Sequence, residues 1–126
     1  MIKIDKIIIK GMDIFAYHGV LDAEKALGQH FIFDIKIYHN LAISGKSDLL
    51  ENSISYADVY SAVGKVVKSA PFNLIESVAE KCAEVVIVNF GAEKVKIKVK
   101  KPQAPINGNF EYCGVEIKRK KSDYIK

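Results

Sequence analysis

The spacing of the apolar residues changes twice along this chain, and this change constrains the fold more than any other feature. Between residues 30 and 43 apolar and polar residues alternate, as they do in a half-buried strand. From residue 55 the apolar residues recur at helical spacing, and from residue 93 they alternate again. The pattern therefore predicts strands, then helices, then strands.

Four segments are predicted to be strands. They are residues 4–19, 30–43, 93–102 and 110–120. In the second, Phe31, Phe33, Ile35 and Ile37 share one face. In the third, the apolar residues alternate with lysines. An antiparallel sheet with one face under two helices fits this order, so the predicted class is α+β in the order ββααββ.

The first helix is predicted to begin after Ser55, because Asp58 follows three residues later in a typical start signal. Pro71 ends it, since proline cannot continue a helix. The stripe expected to face the core consists of Val59, Val63, Val66 and Ala70.

The second helix is predicted over residues 73–90, with Gly91 as its stop. Glu76 near its start allows two interpretations. With Asn73 as N-cap, Glu76 would complete a capping box. Alternatively, its carboxylate holds a ligand. Glu80, one turn later, is expected to be solvated.

Length and composition limit the class of protein. With 126 residues the chain has the length of one domain; we expect residues 1–121 to form it and residues 122–126 to be a tail. No apolar run approaches the ~20 residues that span a bilayer. The N-terminus lacks the layout of a signal peptide. A cytoplasmic protein without a membrane partner is therefore expected.

The net charge of +4 comes mainly from basic runs at residues 94–101 and 118–126. Such runs can bind nucleic acid, but a solvated strand face and a frayed terminus are the commoner reading. No nucleic-acid partner is expected, and a nucleic-acid-binding module remains a remote alternative. Cys82 lies among apolar residues and is expected in the core, with no disulfide to Cys113.

Lys101 stands out because it continues the apolar face of the third strand, if that strand stays regular up to Pro102. A lysine there would be partly desolvated and close to other ammonium groups. Both effects disfavour its charged form and suit a proton-transfer residue. The alternative is one more surface lysine. By position alone, Tyr56 would be a packing residue and Glu24 a solvated loop carboxylate.

Metal and nucleotide sites find little support. The three histidines are scattered without ligand spacing, and no glycine-rich phosphate loop occurs. We expect no metal and no cofactor. The candidate catalytic groups are therefore carboxylates, a tyrosine and a lysine.

Five motifs together resemble the dihydroneopterin aldolase family of folate biosynthesis. They are KGMDIFAYHGVLDAEKALGQHFIFDI (10–35), SISYADV (53–59), FNLIESVAE (72–80), VKKPQAPING (99–108) and CGVEIKR (113–119). The resemblance implies the tunnelling fold. It also implies subunits in tetrameric rings, usually stacked as a homo-octamer with sites between subunits. The implied substrate is a pterin.

The resemblance also implies site residues. Glu76 would anchor the pterin and Ile75 would contribute main-chain contacts. Glu24 and Tyr56 would bind substrate, and Lys101 and Tyr56 would be catalytic. The sequence PING departs from the family's more usual PIPG, which bears on the stiffness of that loop.

The implied reaction cleaves 7,8-dihydroneopterin into 6-hydroxymethyl-7,8-dihydropterin and glycolaldehyde, without metal and without a Schiff base. An epimerase of the same fold is the closest alternative, because cleavage followed by re-addition inverts C2′. Zinc-dependent pterin synthases share the fold but need a histidine triad that this sequence lacks.

Overall fold

The structure, a computed structural model, describes residues 5–125. It contains two short helices that the sequence analysis did not predict, one before β2 and one after it. In chain order the elements are β1 (Lys6–Ala16), α1 (Asp22–Leu27), β2 (Gln29–Tyr38), α2 (Ala42–Ser47), α3 (Tyr56–Ser69), α4 (Ile75–Phe90), β3 (Lys94–Lys101) and β4 (Cys113–Lys120). Single 3₁₀ turns lie at Leu50–Asn52 and Lys121–Asp123.

The four strands form one antiparallel sheet in the order β1-β2-β3-β4. The register places Ile35 of β2 beside Ile97 of β3, and Ile97 beside Ile117 of β4. The long helices α3 and α4 contact each other and lie against this sheet. The prediction of an α+β tunnelling fold with two main helices on one face is confirmed.

The core lies between the sheet and these helices. Phe31, Phe33, Ile35 and Ile37 are fully buried, as the alternation of β2 predicts. Burying side chains of this size contributes about 1.5–3 kcal/mol each. On the opposite face of the sheet, lysines form ion pairs such as Lys96–Glu116 and Lys100–Asp34.

Helix α3 begins as predicted. The hydroxyl of Ser55 accepts a hydrogen bond from the main-chain N–H of Asp58 at 3.2 Å. Val59 and Val63 are buried as predicted, and Val66 packs partly buried against the core. The prediction missed Val67, which is fully buried, and was wrong for Ala70. Ala70 follows the last helical residue in extended conformation and is exposed.

Helix α4 corrects the capping prediction. The helix begins at Ile75 with Leu74 in the N-cap position, and no side chain caps it. The side-chain oxygen Oδ1 of Asn73 instead accepts a hydrogen bond from Lys25 Nζ at 2.6 Å. The proposed capping box of Asn73 and Glu76 is therefore wrong. Gly91 does end the helix, in left-handed conformation.

The C-terminal residues pack against the domain. Arg119 Nε donates to Glu80 Oε1 at 2.7 Å, and the Tyr124 hydroxyl donates to Glu80 Oε2 at 2.7 Å. The hydrogen bond from Arg119 is the main reason why the pKa of Glu80 is lowered. Glu80 is hydrogen-bonded, but 44% of its side chain stays exposed to solvent as expected. The expectation of a frayed terminus is wrong up to Tyr124, which packs partly buried against the core. The division into residues 1–121 and 122–126 stays a prediction.

Both cysteines are free thiols. Cys82 is buried in the core as expected, and burial raises its pKa to about 12. Among residues 5–125, no helix is both long and apolar enough to cross a bilayer.

Candidate active site

A buried ion pair joins the end of β3 to helix α1. The ammonium group of Lys101 contacts Glu24 Oε2. Glu24 also accepts hydrogen bonds from the Leu21 main-chain N–H at 3.3 Å and from Gln29 Nε2 at 3.1 Å. With 8% of its surface exposed, Glu24 is neither in a loop nor solvated, which corrects the reading from position alone.

The surroundings of Glu24 favour its charged form. Burial acts to raise its pKa, but the hydrogen bonds from Lys101 and Leu21 outweigh burial, so the pKa lies below its ordinary value. The side chain is therefore an ionised acceptor at neutral pH. It holds the ammonium of Lys101 in a fixed position.

Gly19 makes room for Glu24. A Cβ atom at this position would overlap the Glu24 carboxyl group, and the backbone has φ +152°. Side-chain-bearing residues rarely adopt this conformation. Only glycine lets the chain turn after β1 and still pack α1 against the turn.

Lys101 fulfils the positional prediction. It is the last residue of β3, and its side chain is 14% exposed. Its charge environment differs from the prediction. The neighbour of the ammonium is the carboxylate of Glu24, not the other ammonium groups that were expected. A fixed, nearly desolvated ammonium can donate a proton and take it back.

The turn after β1 is tied to the turn before α4. The Phe72 main-chain N–H donates to His18 Nδ1 at 2.9 Å, and the Gly19 N–H donates to the Phe72 carbonyl at 2.9 Å. Lys25 contacts Asn73 in the same region. These contacts bring the start of α4 close to the Lys101–Glu24 pair.

Glu76 lies in the first turn of α4 and is exposed. Within residues 5–125 its carboxylate makes no hydrogen bond or ion pair, so both oxygens are available to a ligand. The helix dipole favours an anion at this position. Ile75 precedes it as the first helical residue and is half-buried.

Tyr56 lies elsewhere in the chain. It is 67% exposed and lines an open groove with Ile7 and Ile8 near the start of β1. Glu24 instead contacts Gln29, which pairs with Ala16 at the end of β1. Because a strand rises about 3.3 Å per residue, Ile8 and Ala16 lie roughly 25 Å apart. Within one chain, Tyr56 is therefore separated from the other candidates.

Comparison with known proteins assigns the chain. The family model described as dihydroneopterin aldolase matches residues 7–118. The dihydroneopterin aldolase of Bacillus subtilis (strain 168) is 38% identical over 119 residues, covering 94% of this chain and 99% of that protein. Dihydroneopterin aldolase 1 of Arabidopsis thaliana is 38% identical over 124 residues, covering 97% and 85%.

The chain belongs to the dihydroneopterin aldolase family. This confirms the predicted family and its function in folate biosynthesis. A solved structure, E. coli dihydroneopterin aldolase in complex with neopterin, superposes with a TM-score of 0.85 at 34% identity. The match covers 91% of this chain and 98% of the E. coli chain.

Two residues of the candidate site were missed by sequence reasoning. Gln29 continues the buried face of β2 beyond Phe31, so a polar residue on an apolar alternation was an available signal. His18 carried no such signal, because its contact with Phe72 depends on chain folding. Across residues 5–125, acidic, histidine and cysteine side chains form no group of three or more that could hold a metal ion.

Proposed function

We propose that this chain cleaves 7,8-dihydroneopterin by a retro-aldol reaction without metal or Schiff base. The observation that carries the proposal is the buried Lys101–Glu24 pair, tied through the contacts of His18 and Gly19 with Phe72 to the turn that precedes Glu76. It combines a fixed acid–base group with an anionic anchor. The family assignment supports this substrate class, as does the neopterin bound by the E. coli relative.

Glu76 serves as the pterin anchor. A pterin offers two adjacent donors, the 2-amino group and N3–H, and one carboxylate can accept from both. The main chain at Ile75 adds contacts to the same ring. Glu24 binds the hydroxyl-bearing side chain of the substrate, using the acceptor capacity left by its other partners.

The bond that breaks is C1′–C2′. A base removes the proton of the 2′-hydroxyl, C2′ becomes the aldehyde carbon of glycolaldehyde, and the electron pair of the bond moves to C1′. The N5=C6 imine of the dihydropterin accepts these electrons, and N5 takes a proton. Protonation at C1′ with loss of the N5 proton then gives 6-hydroxymethyl-7,8-dihydropterin.

Lys101 and Tyr56 carry the proton transfers. Lys101 exchanges protons around the 2′-hydroxyl and N5, and Tyr56 relays a proton to C1′. A Schiff base is unnecessary because the substrate already contains the imine that accepts the electrons. The ion pair with Glu24 holds the Lys101 side chain in place for the proton transfers.

The active unit is a homo-oligomer with sites between subunits, formed as tetrameric rings stacked into an octamer. Separation of Tyr56 from Lys101 within one chain supports a shared site. Exposed apolar side chains near Tyr56, among them Ile8 and Tyr60, support contact with another subunit. The outer edges of β1 and β4 are also suited to strand pairing. Cytoplasmic localisation stays a prediction.

Incubation of the purified protein with 7,8-dihydroneopterin tests the proposal. We expect equal amounts of glycolaldehyde and 6-hydroxymethyl-7,8-dihydropterin, unchanged rates after chelator treatment, and no covalent adduct on Lys101 after borohydride reduction. Inversion at C2′ without glycolaldehyde would make the chain an epimerase. Trapping of substrate on Lys101 would overturn the imine mechanism.

A further inference from the structure

His18 is a buried polar residue without an assigned part in the reaction. Its side chain is 1% exposed, and its ring packs edge-on against Phe31 and tilted against Phe72. Nδ1 accepts the hydrogen bond from the Phe72 N–H, whereas Nε2 has no partner at hydrogen-bonding geometry within residues 5–125.

The contact with Phe72 fixes the protonation state of His18. A main-chain N–H can only donate, so Nδ1 must be unprotonated and the proton of the neutral ring must lie on Nε2. An imidazolium would present an N–H to the Phe72 N–H. Protonation of His18 therefore breaks this hydrogen bond.

The same contact joins the two halves of the site. The His18–Gly19 turn packs against Glu24, which holds Lys101. Phe72 leads directly into the turn that starts α4 and carries Glu76. Two hydrogen bonds join these turns, one from the N–H of Phe72 and one to its carbonyl oxygen. They set the position of the anchor relative to the acid–base pair.

We propose that neutral His18 is a positioning residue that holds the Glu76-bearing turn at its working distance from Lys101, and that protonation of His18 releases this turn. The inference rests on the proposed function of Glu76 and Lys101. It predicts that pterin binding weakens on acidification as His18 takes up a proton.

The surroundings of the ring fit a neutral imidazole. Burial is the main reason why the pKa of His18 is lowered, and the nearby Val67 carbonyl of α3 opposes this shift. Lys101 of β3 is the charged group that acts on the ring, and it lowers the pKa further. From β2 and from the turn before α4, the ring faces the uncharged side chains of Phe31 and Phe72.

Two substitutions of His18 test whether its hydrogen-bond acceptor, rather than the size of its ring, holds the turn. In His18→Asn the amide oxygen can occupy the place of Nδ1 and accept from Phe72, and it does not titrate. In His18→Leu the acceptor is lost. His39→Asn is the matched control, since His39 follows the end of β2 opposite to Gln29 and Glu24.

Pterin affinity is measured by calorimetry with neopterin between pH 5 and pH 8, beside the melting temperature of each variant. We expect wild-type and His39→Asn affinity to fall on acidification, and His18→Asn affinity to stay nearly constant. For His18→Leu we expect roughly two- to tenfold weaker binding at pH 8, the equivalent of one lost hydrogen bond. An acid limb that persists unchanged in His18→Asn would overturn the proposal.

Nitrogen NMR of the ligand-free protein gives a second test that does not depend on activity. At pH 7.5 we expect the His18 ring to be neutral with Nε2 protonated. A neutral ring protonated on Nδ1, or an imidazolium, would overturn the inference. Failure of the wild-type protein to bind neopterin at pH 8 would instead count against the proposed function, so the two failures are distinguishable.

Discussion

Lys101 at the end of β3 is ion-paired with Glu24 of α1, and this contact holds both side chains of the candidate site in place. Glu24 in turn is held by Leu21 and Gln29. The lysine therefore has one orientation before substrate arrives. Preorganisation of this kind lowers the cost of reaching the reactive geometry.

Removal of the Lys101 amine should abolish most turnover. We expect Lys101→Ala to fold, because Glu24 keeps its hydrogen bonds to Leu21 and Gln29. Turnover should fall by about 10²–10⁴-fold, the usual contribution of general acid–base catalysis, with pterin affinity retained. Single-turnover kinetics and calorimetry measure the two quantities. The control is Lys100→Ala, which removes a lysine on the other face of β3. Near wild-type turnover in Lys101→Ala would exclude Lys101 from the mechanism.

Glu76→Gln tests the pterin anchor without a change in stability. Because the structure assigns Glu76 no capping hydrogen bond, the melting temperature should stay nearly constant. The amide replaces one acceptor by an N–H that opposes a pterin donor. Loss of a hydrogen bond to a charged group costs about 1.5–3 kcal/mol, so affinity should fall roughly ten- to more than a hundredfold. Affinity within twofold of wild type, measured by calorimetry, would argue against the anchor.

Mixing of inactive subunits tests whether sites are shared. Tyr56→Phe and Glu76→Ala proteins should each have little activity, because each lacks one part of every site. After subunit exchange, some interfaces would combine an intact Tyr56 with an intact Glu76, and activity should partly return. Native mass spectrometry verifies the exchange and gives the subunit number. No recovery after verified exchange would place the site within one chain.

Gly19→Ala should disturb both stability and catalysis. The added methyl group overlaps Glu24, and the backbone conformation with φ +152° is unfavourable for alanine. We expect a loss of roughly 1–3 kcal/mol in the free energy of unfolding, together with reduced turnover. Gly45→Ala is the matched control, since Gly45 has free space around it inside α2 and no positive φ. Equal stability of the two variants in urea unfolding would contradict this account.

Glu80 should make the protein more stable above pH 4.5 than below it. The hydrogen bond from Arg119 lowers the pKa of Glu80 in the folded state, so the unfolded chain binds its proton at higher pH. The contribution of Glu80 is present above the unfolded value near 4.5 and is lost as the pH falls through the folded value. Urea unfolding of Glu80→Gln from pH 7 to pH 3 should show a smaller decline than wild type. An identical decline in both proteins would remove Glu80 as a cause.

The sequence by itself determined the strands, the two long helices and the family. These follow from local patterns, because the residue spacing that buries one face is fixed by the geometry of the strand or helix. The placement of Lys101 on the buried face of β3 could be predicted for the same reason. The likeness of the sequence to dihydroneopterin aldolases then supplied Glu24, Tyr56, Ile75 and Glu76 as candidates.

Only the tertiary structure decided what those residues contact. The burial of Glu24 depends on Lys101, a partner from the other end of the chain, and no local pattern carries that information. Asn73 satisfies the local rule for an N-cap, yet its side chain binds Lys25, so a tertiary contact overrides the local preference. Tyr56 lies far from Lys101 within the chain because α3 places it beside the start of β1. Local spacing sets the direction of a side chain, whereas its partner is set by how the distant segments pack.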